Sequence, residues 1–424
     1  MSCTPIAGPG RAMPQTLAGM LADEGFRLFF PLAALYAAVF PLFWVLAMGF
    51  DLPLARSVPP SLWHAHEMLI GAFGAALIGF LTTAVPEWTD TEPLRGRPLW
   101  GLAALWGAGR IVGFLGWDGL SAAGALADLA WMGALLAYLL RLSWAKRTDR
   151  LLTFAFWMGL LIACTATTRL FFLTGDSAAA QTWVHLAGFA FLGLLGLALA
   201  RITVPVTNLV LDPSENSSPF RPHPGRLNLA PGMVLIAMAG QVAGLSPAVN
   251  GYLLLAAGAA FMDRVAEAFI GREAMRTEIL LLAGASALAG AGLMMTGAAA
   301  LGAPWGQVTG LHAAFMGGLG LGVYAVFCIA GLMHTNRPLG LPWPVRLGAL
   351  ALALSVALRL APDLGFDMPG PLHAGASLLW ALGYLTWLAV FWPYVSKASV
   401  PAPMMEAPQM AAPSEHVHHV AAAE

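Results

Sequence analysis

Charge is what this chain has least of: only 10% of its 424 residues are Asp, Glu, Lys or Arg, less than half the share usual in a soluble domain. With 58% hydrophobic residues and a mean hydropathy of +0.73, a water-facing globular surface is excluded. Cysteine is nearly absent as well. Cys3, Cys164 and Cys328 form no CxxCH and no CxxC, which excludes covalent haem attachment and argues against disulfides. The formal net charge of -1 offers no basic surface for nucleic acid. The start has no short basic stretch leading to a small-residue cleavage site, so the first apolar run reads as a retained helix. The string GLGLG lacks a strand context, which rules out a dinucleotide fingerprint. No flavin or iron–sulfur motif occurs, so any electron donor is a separate protein or a quinol.

What is present is length of apolar run. A bilayer core of about 30 Å needs roughly 20 mostly apolar residues per helix. Twelve such runs fall near residues 28 to 49, 62 to 85, 98 to 117, 119 to 140, 151 to 173, 181 to 208, 229 to 246, 249 to 270, 278 to 300, 306 to 333, 343 to 361 and 372 to 395. The expected fold is therefore an all-α polytopic membrane bundle of about twelve transmembrane helices, occupying residues 28–396 and embedded in lipid. A linker near 209–228 separates the first six helices from the last six, and the tails are 1–27 and 397–424. The second tail is rich in Pro and Ala and reads as disordered, with His416, His418 and His419 as incidental or weakly metal-binding residues.

Basic residues fix the orientation. Arg95 and Arg97, then Arg141, Lys146, Arg147 and Arg150, then Arg221 and Arg226, Arg272 and Arg276, and Arg337 occupy every second loop, on the side of both termini. Opposite loops carry Arg56, Asp118, Asp176, Asp363 and Asp367. This pattern suits a bacterial inner membrane with both termini cytoplasmic.

Depth along the helices then sorts the polar residues. His64 and His66 open the second run, His185 the sixth and His373 the twelfth, while His312 lies one or two turns into the tenth. All five belong to the outer third. His334 follows His312 by 22 residues, about 33 Å along a helix, and falls on the inner side. Arg110, Arg169, Arg359 and Asp128 sit in the outer half, Arg201 in the inner half. Charges inside a bilayer cost several kcal/mol on most scales and mark a functional interior or pair with one another. Several neutral imidazoles from different helices at one level suit haem iron or copper, and arginines such as Arg110 and Arg169 suit the propionates of a non-covalent haem.

The segment WHAHEM, 63 to 68, holds two histidines and a glutamate in an otherwise apolar run. Residues two apart on a helix point about 200° apart. Either one imidazole is a ligand and the other serves a second site or the helix start, or the preceding SVPPS makes the start non-helical and lets both chelate. Asp128 and Arg110 are read as a structural ion pair or a functional one. Asp263, Arg264 and Glu267 read as solvated edge residues. Glycine runs such as GAFGAALIG suit close helix packing, and the 19 methionines read as core filler.

LWHAHEMLIGAFGAALIGFLTTAVPEWT followed by LRGRPL resembles the amino-terminal signature of the NnrS family, haem- and copper-containing membrane proteins of the bacterial nitric oxide response. HLAGFAFLGLLGLALARITVPVTN resembles the family's His helix, with Arg following sixteen residues on, here His185, Arg201 and Pro205. GLHAAFMGGLGLGVYAVFCIAGLMHTNRPL resembles its later segment ending in HTGRP, here His312, His334, Thr335, Arg337 and Pro338. Ile329 stands where the family carries an Arg, and Asn336 where it carries a Gly. The resemblance implies haem, copper, nitric oxide as a partner and a part in tolerance of nitrosative stress. It also marks Arg201, His334 and Arg337 as a second, inner-side candidate site, where Arg201 and His334 form either a functional site or a structural bond across the cytoplasmic ends of the sixth and tenth helices.

Three function classes stay open: a redox or sensing protein with haem and copper near the outer face, a twelve-helix transporter of copper or another small solute, and a respiratory oxidase or nitric oxide reductase. The last is disfavoured, because no His-His pair appears on a seventh helix and His185 lacks a neighbouring Pro-Glu. Whether the protein turns over a substrate is left open by the sequence.

Overall fold

A computed structural model of the protein describes residues 16–49, 58–366 and 370–397. Every regular element among them is helical. This is the solution that hydrocarbon imposes, since each backbone N–H and C=O must find its partner within the segment itself.

Among the described residues, twelve helices build the bundle. They are α1 (Gly25–Gly49), α2 (Pro60–Thr89), α3 (Arg97–Leu115), α4 (Ser121–Lys146), α5 (Leu152–Thr174), α6 (Ser177–Leu211), α7 (Arg226–Val242), α8 (Pro247–Asp263), α9 (Thr277–Ala300), α10 (Gln307–Met333), α11 (Trp343–Leu360) and α12 (Leu372–Val395). Ten are long and apolar enough to cross a membrane. The other two, α7 and α8, have 17 residues each. The expected runs match these helices to within four residues except at the end of the fourth, where α4 continues six residues further to Lys146, and at the end of the eighth. There α8 stops at Asp263 and the chain tightens into a short helical turn, Arg264–Ala268. A one-turn helix, Leu17–Leu21, capped by the Thr16 hydroxyl, precedes α1, so part of the expected N-terminal tail is structured.

Each helix packs along the next in sequence, and α12 packs back on α1, which closes a ring. Within it, α2, α6 and α10 lie innermost: 83%, 72% and 72% of their apolar windows are buried, against 33–56% for the other seven crossing helices. Every fourth helix is therefore central.

Two of these central helices carry the same distortion. In α2 the α-helix Pro60–His66 passes into a π-helical segment, Glu67–Phe73, before α geometry resumes at Gly74. In α10, Gln307–His312 passes into a π segment, Ala313–Leu319, before resuming at Gly320. Each π segment starts directly after a histidine, and glycines stand five and eight residues beyond it, Gly71 and Gly74 in one, Gly317 and Gly320 in the other. The glycines are required by close approach. A Cβ on Gly71 would lie 2.4 Å from the Tyr36 ring, and one on Gly320 would lie 2.3 Å from Trp380. Neighbouring aromatics also supply donors to these distorted stretches: Trp106 Nε1 donates to Gly71 O at 2.9 Å and Tyr384 OH to Gly320 O at 2.9 Å. Such π segments concentrate at functional sites.

Candidate functional site

The polar residues of the outer half fall into three separate groups. The first is a fully buried ion network drawn from α1 to α5. Asp128 on α4 accepts from Arg110 Nη2 on α3 with one carboxylate oxygen and from Arg169 Nη2 on α5 with the other. Glu67, in the π segment of α2, accepts from Arg110 Nη1 at 2.8 Å and from Tyr36 OH at 2.5 Å. His66 Nδ1 lies 3.0 Å from Glu67 Oε1, and its Nε2 lies 3.8 Å from Asp128 Oδ2. Glu67 and Asp128 are 0% exposed and Arg110, Arg169 and His66 at most 3%. Two carboxylates thus balance two guanidiniums inside the bundle, which is the condition for keeping such charges out of water.

Small residues of α3 make room for this network. A Cβ on Gly109 would lie 2.5 Å from Asp128 Oδ1, and one on Gly113 would lie 2.6 Å from the Glu67 carboxyl carbon. The two glycines flank Arg110 on the helix, so both carboxylates reach its guanidinium at short range. Trp63 and Phe172 rings close on His66 at 5.6 and 5.7 Å, and the Arg169 guanidinium lies 5.0 Å from the Trp63 ring. His66, Arg110 and Arg169, expected around a haem, are thus tied to Asp128 and Glu67, while His66 Nε2 and Arg169 Nε and Nη1 have no hydrogen-bond partner. The sequence reading left Glu67 and Tyr36 without a role. The signal was a carboxylate inside an apolar run, which calls for a cationic partner at the same depth.

The second group lies toward α10, α11 and α12. The His64 imidazole stacks on Trp44 and Phe40, with centroids 5.0 and 6.2 Å apart, and its buried Nδ1 has no hydrogen-bond partner. His312 and Arg359 are its electrostatic neighbours, and His312 in turn has Arg359, Asp363 and His373 around it. His312 Nδ1 lies 2.9 Å from Val308 O, which fixes the ring and leaves Nε2 for another partner. Arg359 Nη1 and Thr309 Oγ1 both donate to Asp363 Oδ2, at 3.1 and 3.0 Å. His373 is exposed at the start of α12. Three imidazoles and a guanidinium therefore gather at the outer ends of α2, α10, α11 and α12. They are not yet a closed coordination sphere: no three His, Cys, Asp or Glu side chains among the described residues converge closely enough to hold a metal ion.

His185 on α6 forms the third group. It lines a cavity of about 240 Å³ bounded by α6, the α7–α8 turn, α9 and the start of α10. Gln307 and Leu311, one turn apart on α10, face that cavity, whereas His312 lies on the adjoining face of the helix. The two members of WHAHEM likewise part company, His66 to the ion network and His64 to the second group, as the 200° separation of the sequence reading requires.

On the inner side, Arg201 and His334 attach to adjacent residues of α2. Arg201 lies 4.7 Å from the Trp88 ring and 5.3 Å from Phe154, and donates to Arg150 O at 2.7 Å. His334 Nδ1 lies 3.5 Å from Glu87 Oε1, and its ring packs 5.2 Å from Phe26. Burial, aided by the charge of Arg27, pulls the His334 imidazole down to about 4. Arg337 sits 3.7 Å over the Tyr394 ring of α12. Arg27 donates to the carbonyls of Val395 and Lys397 at the end of that helix, at 3.0 and 2.7 Å. Next to it, burial raises the Glu24 carboxyl to about 7, against the opposing charge of Arg27.

One sequence expectation is corrected here. Asp263 does lie at the surface, bound to Arg226 at 2.6 and 3.0 Å, but Arg264 and Glu267 are not solvated edge residues. They are 3% and 6% exposed and bonded to each other at 2.9 Å. The tightened turn after α8 swings both inward against Thr203 and Thr207 of α6 and Ser286 of α9. The tail histidines His416, His418 and His419, and Arg56 and Asp367, lie outside the described residues.

Comparison with known proteins gives a match to a family model. The family model described as NnrS protein covers residues 20–398, from the helical turn before α1 to just beyond the end of α12. Neither the curated proteins nor the solved structures gave a match. Since that model spans nearly the whole helical ring described above, the chain belongs to the NnrS family, and it is a multi-pass membrane protein of that family.

Proposed function

We propose that the protein is a haem- and copper-binding component of the bacterial response to nitric oxide, protecting against nitrosative stress from the inner membrane, with both termini cytoplasmic. The metal-binding residues are assigned to the second group, His64, His312 and His373 beside Arg359. The observation that carries this reading is the His64 imidazole, stacked on the Trp44 and Phe40 rings of α1 with a buried Nδ1 that no hydrogen bond uses. A buried nitrogen without a partner costs about 1–3 kcal/mol, and a metal bond is one way to recover it. The donor set fits: neutral imidazoles from separate helices suit haem iron or copper.

The first group is assigned a supporting role. Its two guanidiniums are already neutralised, so the network ties α1 to α5 together and fixes the stretch of α2 that presents His64 two residues before His66. Bound haem or copper would supply a coordination position for nitric oxide and a one-electron redox couple. The protein's own contributions are orientation and exclusion of water. Val308 O sets the His312 ring, as outer partners of metal-bound histidines do, Phe40 and Trp44 shield His64, and Arg359 places positive charge beside the imidazoles, suited to a carboxylate-bearing cofactor.

Haem and copper stoichiometry in detergent-purified protein tests the assignment, with His64→Ala, His312→Ala and His185→Ala compared. Loss of metal in the first two and its retention in the third is the expected result. Full metal content in all three contradicts the assignment.

A further inference from the structure

The cavity lined by His185 has a chemistry of its own. Its volume of about 240 Å³ falls just below the usual range of small-molecule sites, roughly 300–1,000 Å³, and corresponds to about eight waters at roughly 30 Å³ each. Five helices contribute polar side chains: Thr182 and His185 from α6, Gln241 from α7, Asn250 from α8, Thr296 from α9 and Gln307 from α10. No Asp, Glu, Lys or Arg lines it. A charged ligand would find no counter-charge there.

Hydrogen bonding is left open in a specific way. The hydroxyls of Thr182 and Thr296 donate to carbonyls of their own helix, at 3.3 and 2.8 Å, which leaves acceptor capacity. Asn250 Nδ2 donates to Leu245 O at 2.8 Å, and its buried Oδ1 has no partner. His185, Gln241 and Gln307 bring groups that donate and accept equally well. The wall can thus meet a ring oxygen that is a carbonyl in one redox form and a hydroxyl in the other.

The rim argues for an amphiphile. Leu245, itself a lining residue, and Val242, Val249, Leu301 and Val308, each next to one in sequence, are 39–62% exposed apolar side chains. Phe189 and Leu254 supply an apolar floor. We infer that this cavity binds the ring of a membrane-soluble quinol or quinone, with the apolar tail leaving over that rim. The inference is independent of the metal assignment, because it uses none of His64, His312 or His373.

Calorimetric titration of the detergent-purified full chain with ubiquinone bearing one isoprene unit tests it, with metal content measured on the same samples. Saturable binding at one site per chain is expected. His185→Leu and Gln307→Leu should each weaken it about tenfold, as loss of a hydrogen bond to the ring oxygen does, while His185→Gln should retain it. Gln307 is exposed at its helix start, so its variant keeps the test valid if a His185 variant fails to fold. The His64→Ala variant should bind the quinone normally even where its metal is lost, which separates this inference from the metal reading. Absence of saturable binding, or unchanged affinity in both leucine variants, overturns it. Methylhydroquinone, which lacks the tail, should bind at least about tenfold more weakly; equal affinity overturns the membrane-delivered ligand in favour of a water-soluble phenol.

Discussion

Asp128 holds Arg110 with one carboxylate oxygen and Arg169 with the other, and all three side chains are buried among α3, α4 and α5. With Glu67 on the far side of Arg110, the group is electrically balanced. Balance, more than any single bond, decides what substitutions there do.

Removing one charge should therefore hurt more than removing two of opposite sign. Asp128→Asn leaves two guanidiniums facing one carboxylate, a loss of about 3–5 kcal/mol by the behaviour of broken buried pairs. Asp128→Asn combined with Arg169→Met restores balance around Glu67 and Arg110 and should be milder than the single change. Thermal unfolding in detergent, read as a double-mutant cycle, checks this; a double variant as unstable as the sum of the singles contradicts it.

The glycines of α3 should be unequal. A Cβ at Gly113 would strike the Glu67 carboxyl group, whereas one at Gly107 meets nothing within 4 Å. Gly113→Ala is expected to destabilise by about 1–3 kcal/mol, the usual cost of overpacking. Gly107→Ala should be neutral or slightly stabilising, as alanine is in a helix. The melting temperatures of the two variants decide the matter.

Two inner-side groups give opposite pH slopes. Burial raises the Glu24 carboxyl from 4.5 to about 7, so the folded protein holds a proton there that the unfolded chain releases. That contribution is present below about pH 4.5 and is lost as pH rises to about 7. His334 is lowered from 6.5 to about 4, so its folded form sheds a proton that the unfolded chain keeps. Its unfavourable term is largest below about pH 4 and fades as pH rises to about 6.5. Glu24→Gln should accordingly gain stability relative to the parent between pH 5 and pH 8, and His334→Gln should lose it between pH 4 and pH 7. Unfolding curves at these four pH values test both signs.

How much of this was legible beforehand depended on the kind of information. Apolar run length located the helices, because hydrocarbon thickness imposes it; Arg95 and Arg276 lie between helices, whereas Arg141, expected in a loop, lies inside α4 (Ser121–Lys146). The run at 249 to 270 was overextended because residues beyond Asp263 are apolar enough to continue a helix, while the turn tightens to bury Arg264 against Glu267. Depth along each helix placed His64, His312, His373 and Arg359 at one level, yet depth alone cannot say which way a side chain faces. Helices apolar on every side give no stripe from which to read a facing. The placement of His185 at the cavity between α6 and α9, and the capture of His66 by Glu67, were therefore invisible. The π segments were hidden as well, although the repeated offset of Gly71 and Gly74 after His66, and of Gly317 and Gly320 after His312, was available as a clue.

The most direct test of the central claim is the reduced-minus-oxidised absorbance spectrum of the purified protein, recorded together with haem and copper per chain, from cells able to supply both. Haem near one per chain with bound copper, both reduced in His64→Ala and His312→Ala, is the predicted result. A featureless spectrum with neither haem nor copper contradicts the metal-site account.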